Sequence, residues 1–169
     1  VATQDGLYCL RPGTGAVVRI NQQEGKPLRA EINAIVEAPD ASIWVGSAKG
    51  LYRVAAGASE LQPVDAPTGS GLANIIVIGP LFDRRQTLWL DTAVTGLHRM
   101  TRWDGERATF ERISERHGIV TRPFGGNLLE DERGRIWTQM YVYDPATDRL
   151  DELTAADGAD LGTGWFLSH

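Results

Sequence analysis

The chain has 169 residues, 42% hydrophobic and 23% charged, a composition that builds one domain with its own core and excludes a disordered tail. Its 22 acidic and 17 basic residues are interspersed and leave a formal charge of -5, so no basic face is offered to nucleic acid or anionic lipid. The longest apolar run, residues 72–82, is broken by Asn74, Gly79 and Pro80; at about half the length of a membrane span, it predicts no membrane contact by this segment.

In chain order, the first apolar run is "GLYCL", opened by Gly6 and Leu7. The only cysteine, Cys9, lies inside it between Tyr8 and Leu10, which rules out an internal disulfide and reads as a buried thiol. No charged-then-apolar leader follows Val1, so any export signal or anchor is expected outside these residues. "INAIVEAPD" then alternates into a Pro-Asp turn, "SIWVGS" is a short β-rich run, "AKG" a tight turn, "LYRV" another run, and "AAGASE" leads to "LQPV". The same sequence of runs returns as "NIIVIGP", "TLWLDT", "GLHRM" and "ATFERI", and again as "GGNLLED", "RIWTQ", "YVYDP" and "RLDEL". These are strand and turn signals throughout, and no ten-residue window carries a 3.6-residue apolar stripe.

Two markers share one period. Trp44, Trp89 and Trp137 stand 45 and 48 residues apart, while the Gly-Leu pairs at Gly6, Gly50 and Gly96 stand 44 and 46 apart. Each glycine follows a small hydroxyl residue, Thr3, Ser47 or Thr92, and in the last copy Tyr141-Val142-Tyr143 replaces the Gly-Leu strand with a shortened turn. Four short antiparallel strands per 44 to 48 residues predict an all-β fold of β-propeller blades. Roughly three blades are complete and half-blades stand at both ends, with blade parts near residues 1–22, 32–66, 74–114, 126–154 and 164–169. Each tryptophan is expected to staple one sheet to the next, burying about 150 to 250 Å². Each glycine supplies a positive φ to the turn between second and third strands, where the hydroxyl bonds backbone.

These residues resemble the two-component regulator propeller repeat, whose units read like "lWigTxxGLxxl" after a segment resembling "vxaixeDxxGx". The matching stretches are residues 32–54, 86–100 and 128–144, with a truncated copy at 1–10. Only Asp131-Glu132-Arg133-Gly134 keeps the acid-and-glycine turn; Pro39-Asp40 and Asp83-Arg84-Arg85 depart from it. The resemblance implies a periplasmic or extracellular sensor propeller belonging to an inner-membrane histidine kinase or diguanylate cyclase of a bacterium. It also implies a ring of about seven blades, so the chain is expected to be a fragment whose neighbours are the remaining blades or a second copy. The complementary half-blades at residues 1–22 and 164–169 leave a closed four-bladed ring or a two-chain assembly as the alternative.

Any ligand is expected on the rim where fourth-to-first loops and second-to-third turns open together. Lys49, His117, Arg122 and Trp165 are the candidate binding residues there, for an unknown small molecule or oligosaccharide. His117 sits with Arg116 and Arg122 in a small cationic loop suited to a carboxylate. His98, in the third-strand position of Tyr8 and Tyr52, reads as a packed repeat residue. No histidine has a partner at metal-ligand spacing, adjacent acids such as Glu130-Asp131 cannot face each other across a sugar, and neither a nucleophile elbow nor a phosphate loop is present. The segment is therefore expected to be non-catalytic and without cofactor or metal. A protein-docking scaffold is the alternative function, and a propeller lyase the enzymatic one.

Overall fold

A computed structural model describes residues 1–3, 6–11, 13–22, 30–65, 72, 75–120 and 126–157. The three motif-bearing stretches each fold into a four-stranded antiparallel sheet in which sequence neighbours pair. The second sheet is β4 (Ile32–Glu37), β5 (Ile43–Ser47), β6 (Gly50–Val54) and β7 (Glu60–Pro63). The third is β8 (Val77–Phe82), β9 (Leu88–Thr92), β10 (Gly96–Trp103) and β11 (Ala108–Arg112), and the fourth is β12 (Leu129–Glu130), β13 (Ile136–Trp137), β14 (Tyr141–Asp144) and β15 (Arg149–Glu152). Ahead of them β1 (Ala2–Thr3), β2 (Gly6–Leu10) and β3 (Val17–Gln22) form a partial first sheet that corresponds to second, third and fourth strands. A short parallel pairing, Asn21 with Glu60 and Gln22 with Leu61, joins β3 to β7 along the outer edge.

The core lies between sheets rather than within one, as repeats that cannot bury a face alone require. Leu7 and Ile20 of the first sheet pack on Val45, Tyr52, Val54 and Leu61 of the second. Trp44 and Leu51 of the second meet Val77, Leu88, Leu90 and Phe110 of the third. Trp89, Leu97 and Ile113 then meet Ile136, Tyr141 and Tyr143 of the fourth. Trp44 is 2% exposed and Trp89 1%, so both indoles are full inter-sheet staples. Trp44 stands edge-on to Phe82 at 6.2 Å and to Trp103 at 5.1 Å, and Trp89 lies 5.7 Å from Tyr143, distances at which aromatic pairs gain beyond their buried area. An arginine covers each ring: Arg53 lies over Trp44 and Trp103, Arg99 over Trp89, and Arg135 over Trp137.

Each staple is also tethered through its indole N–H by the turn between first and second strands. Trp89 Nε1 donates to Asp83 Oδ2 and Trp137 Nε1 to Asp131 Oδ2, both at 2.8 Å. In the second sheet Ala38 occupies the place of that acid, and a relay replaces it: Trp44 Nε1 donates to Ser42 Oγ at 3.2 Å, which donates to Asp40 Oδ1 at 2.5 Å. The left-handed position of the turn, filled by Gly134 at φ 78°, is taken by Ala41 at 60° and Gln86 at 64°. The departures from the repeat pattern thus change the residues and keep the turn.

The second-to-third turns behave as their sequence suggests. Ser47 Oγ donates to the Gly50 carbonyl at 2.9 Å, Thr92 Oγ1 to that of Gly96 at 3.1 Å, and Thr138 Oγ1 to that of Tyr141 at 3.1 Å. Gly50 adopts φ 118° and Gly96 71°, values that tax any side chain. The turn from Thr138 to Tyr141 is not shortened: it matches the span from Ser47 to Gly50, and Thr138 retains the hydroxyl role.

A second expectation needs correction, and two short helical segments add to the strands. Cys9 is exposed rather than buried: on its third strand it holds the place that Arg53 and Arg99 take in the next two sheets, where neither side chain is fully buried. A short helix, α1 (Ile113–Arg116), interrupts the loop after β11 and plugs Ile113 into the interface of the third and fourth sheets. A 3₁₀ turn, Ala155–Asp157, follows β15. Residues 164–169, expected as a terminal half-blade, lie outside the described residues.

Candidate functional site

Antiparallel strands place second-to-third turns at one end of each sheet and third-to-fourth hairpins at the other. At the first end, Lys49 is exposed on a turn held rigid by its own N–H, which donates to Ser47 Oγ at 3.1 Å. In the third sheet the equivalent turn is closed by a buried polar cluster. Thr95 N–H donates to Thr92 Oγ1 at 3.1 Å, the two hydroxyls lie 2.8 Å apart, and His98 Nε2 lies 2.8 Å from Thr95 Oγ1. Arg112 Nε and Ser114 Oγ both donate to the Thr95 carbonyl, tying α1 to the turn. His98 is fully buried; burial first, and the Arg112 charge second, push its pKa down to about 4. It is a neutral packed residue, and this end of the third sheet presents a rigid surface.

His117 follows directly on α1, whose Ser114 is bonded to that turn. Its Nε2 lies 3.3 Å from Asp148 Oδ1 and its ring 5.9 Å from Tyr143, so it meets the third-to-fourth hairpin of the fourth sheet. Asp148, held at φ 54°, also accepts from the Tyr143 hydroxyl at 2.9 Å and pairs closely with Arg116. Arg116 in turn pairs with Glu111 and donates to Tyr143 Oη at 3.0 Å, and Glu111 is bridged to Arg99 at 2.5 Å. Tyr143's bond, then those of His117 and Arg116, outweigh burial and hold the Asp148 carboxyl below its ordinary range. Burial, then the Asp148 carboxylate, raise the Tyr143 hydroxyl, so Tyr143 keeps its proton and donates it. Chemically this is a charged clasp between the third and fourth sheets, with the His117 imidazole packed against it.

Of the other candidate binding residues, Arg122 and Trp165 lie outside the described residues. Sequence reasoning missed Asp148 and Tyr143 as partners of His117, since 31 residues separate the histidine from the aspartate. It gave no sign that Trp103 is the edge-on partner of Trp44. No group of three or more metal-ligating side chains occurs among the described residues, and no described helix is long and apolar enough to cross a membrane.

Stacked four-stranded sheets with inter-sheet tryptophans define a segment of a β-propeller. No family model and no curated protein sequence matches the chain, whereas solved structures do. The extracellular domain of the hybrid two-component system protein BT4673 from B. thetaiotaomicron superimposes with a TM-score of 0.70 at 19% identity, covering 95% of this chain and 22% of that one. That of BT3049 from the same organism gives 0.69 at 14% identity, covering 92% and 21%. A structure described as a gluconolactonase gives 0.56 at 18% identity, covering 93% and 55%. At these identities the likeness establishes the fold, and this chain spans about a fifth of the length of the two sensor domains.

Proposed function

We propose that the chain is a sensory segment of an extracytoplasmic propeller in a bacterial two-component signalling protein, non-catalytic in itself. The observation that carries this reading is the superposition of 95% of the chain on an extracellular sensor domain, supported by the propeller repeat pattern around Trp44, Trp89 and Trp137. In this reading the remaining blades of a longer chain, or a second copy, complete the ring, and the signal is a small molecule or oligosaccharide met at the rim that carries Lys49. A periplasmic or extracellular location follows from the same reading.

The deciding experiment takes the parent gene as the source. The reading expects coding sequence for a membrane helix and a kinase or cyclase module in the same frame, and a propeller cleaved by protease added outside intact cells. A parent protein with no membrane helix and no signalling module would overturn it. A thermal-shift panel of oligosaccharides and sugar acids on the whole propeller separates ligand sensing from docking: a saturable shift abolished by Lys49→Ala supports sensing, and no shift together with stoichiometric capture of a protein partner supports the scaffold.

A further inference from the structure

The segment from Arg112 to Ile119 is bonded to two sheets at once. On the third sheet, Arg112 Nε and Ser114 Oγ donate to the Thr95 carbonyl at 3.0 and 2.5 Å, so the residues that open α1 hold the turn between β9 and β10. On the fourth sheet, Arg116 pairs with Asp148 and donates to Tyr143 Oη, and His117 Nε2 lies 3.3 Å from the same carboxylate. Between these two anchors Ile113 is fully buried in the cluster that joins the sheets. The segment then folds back on itself, with the Gly118 N–H donating to the Glu115 carbonyl at 2.9 Å and the Ile119 N–H to that of Ser114 at 2.8 Å.

Such a segment has two states. A single helical turn has too few bonds of its own to persist in water, so it forms only while seated between the sheets. Both anchors exist only in the seated state, and weakening either one raises the lifted population. The turn that it holds does not absorb movement, because Thr92, Thr95 and His98 close it into one piece. We propose that α1 is a coupling element: it ties the β9–β10 turn, on the candidate ligand rim, to the β14–β15 hairpin, so that displacing either one loosens the hold on the other. Linkage makes that coupling reciprocal. In a sensory propeller it is a route from a ligand at the third sheet's rim to the contact between third and fourth sheets, and only this use of the coupling rests on the function proposed above.

Amide hydrogen exchange on the whole propeller reads the coupling without any ligand. Asp148→Asn removes the charge at the hairpin anchor and is expected to speed exchange of the Gly118 and Ile119 amides about two- to fivefold, the factor that loss of an exposed ion pair brings to a local opening. The Thr95 amide, on the other sheet and held to Thr92 Oγ1 at 3.1 Å, should speed up by a similar factor. Arg116→Gln, which breaks the same bridge from the side of α1, should give the same pattern. In the second sheet the Lys49 amide is held to Ser47 Oγ at 3.1 Å, and no helix is bonded to that turn among the described residues, so its rate should stay at the parent value. A Thr95 amide that keeps its parent rate in both variants overturns the proposal. So does a Lys49 amide that speeds up alongside it, which would mean general loosening instead of transmission through α1. The parent-gene experiment decides the sensory reading separately, and the exchange result stands whichever way that falls.

Discussion

Acid titration of a single buried imidazole gives the sharpest check on the packing between sheets. His98 is fully buried at the turn end of the third sheet with a pKa near 4, against an ordinary value of 6.5. Above pH 6.5 both folded and unfolded chains carry it neutral, and its contribution is fully present. As pH falls from 6.5 to 4 only the unfolded chain takes up the proton, so stability drops throughout that window and levels off below it. The gap corresponds to about 3 kcal/mol at the acid end. His98→Tyr is the natural perturbation, because the equivalent positions hold Tyr52 and Tyr143, both buried, and tyrosine takes up no proton there. Asp40, Asp131 and Asp148, whose pKa values are also lowered, lose stability in acid equally in both proteins and cancel. Urea unfolding of the two at about pH 7.5 and pH 4 should therefore show the variant gaining about 3 kcal/mol relative to the parent on acidification, whatever constant offset the larger ring introduces. A difference that stays the same at both pH values would refute the burial argument and place His98 within reach of solvent.

Three further outcomes follow from the same geometry. Trp89→Ala should cost about 3 to 5 kcal/mol, while Trp137→Ala, on a half-buried ring whose outward side meets no described sheet, should cost less than half of that by denaturant melt; equal costs would sink the staple argument. Gly79→Ala should cost about 1 to 3 kcal/mol, because its Cβ would come within 3.0 Å of the Gly126 carbonyl oxygen, a backbone atom that cannot rotate away; a neutral result would mean the third and fourth sheets separate freely. Asp148→Asn should weaken the clasp by about 1 kcal/mol or less, since the carboxylate is exposed. That loss should shrink as salt is raised, and one independent of salt would contradict its electrostatic origin.

Much of the architecture was legible because it repeats. One tryptophan is a hydrophobic residue; three at a common spacing, each followed by a small hydroxyl and an apolar strand, are a repeated interface. The tether of each indole was half legible. Asp131 could be recognised in its acid-and-glycine turn, but in the second sheet the acid has moved from position 38 to Asp40 and acts through Ser42, a substitution that pattern matching counts as a loss. Lys49 could be placed on its turn from local signals alone. His117 could not, because its position depends on α1, a turn of helix too short to leave a periodic stripe, and on Asp148 of the next sheet.

Taken alone, the sequence determined the strand content, the period, the sheet-to-sheet role of Trp44 and Trp89, and the turn chemistry at Ser47, Thr92 and Gly50. All of these rest on interactions within one hairpin or on the repetition of a unit. Tertiary structure alone decided that Cys9 is exposed, that His98 is sealed with a depressed pKa, that Trp103 meets Trp44, and that His117 belongs to a clasp with Asp148. Each of these depends on which face of one sheet meets which face of the next. That docking sums many small contacts between residues dozens of positions apart, and no local pattern in the chain records it.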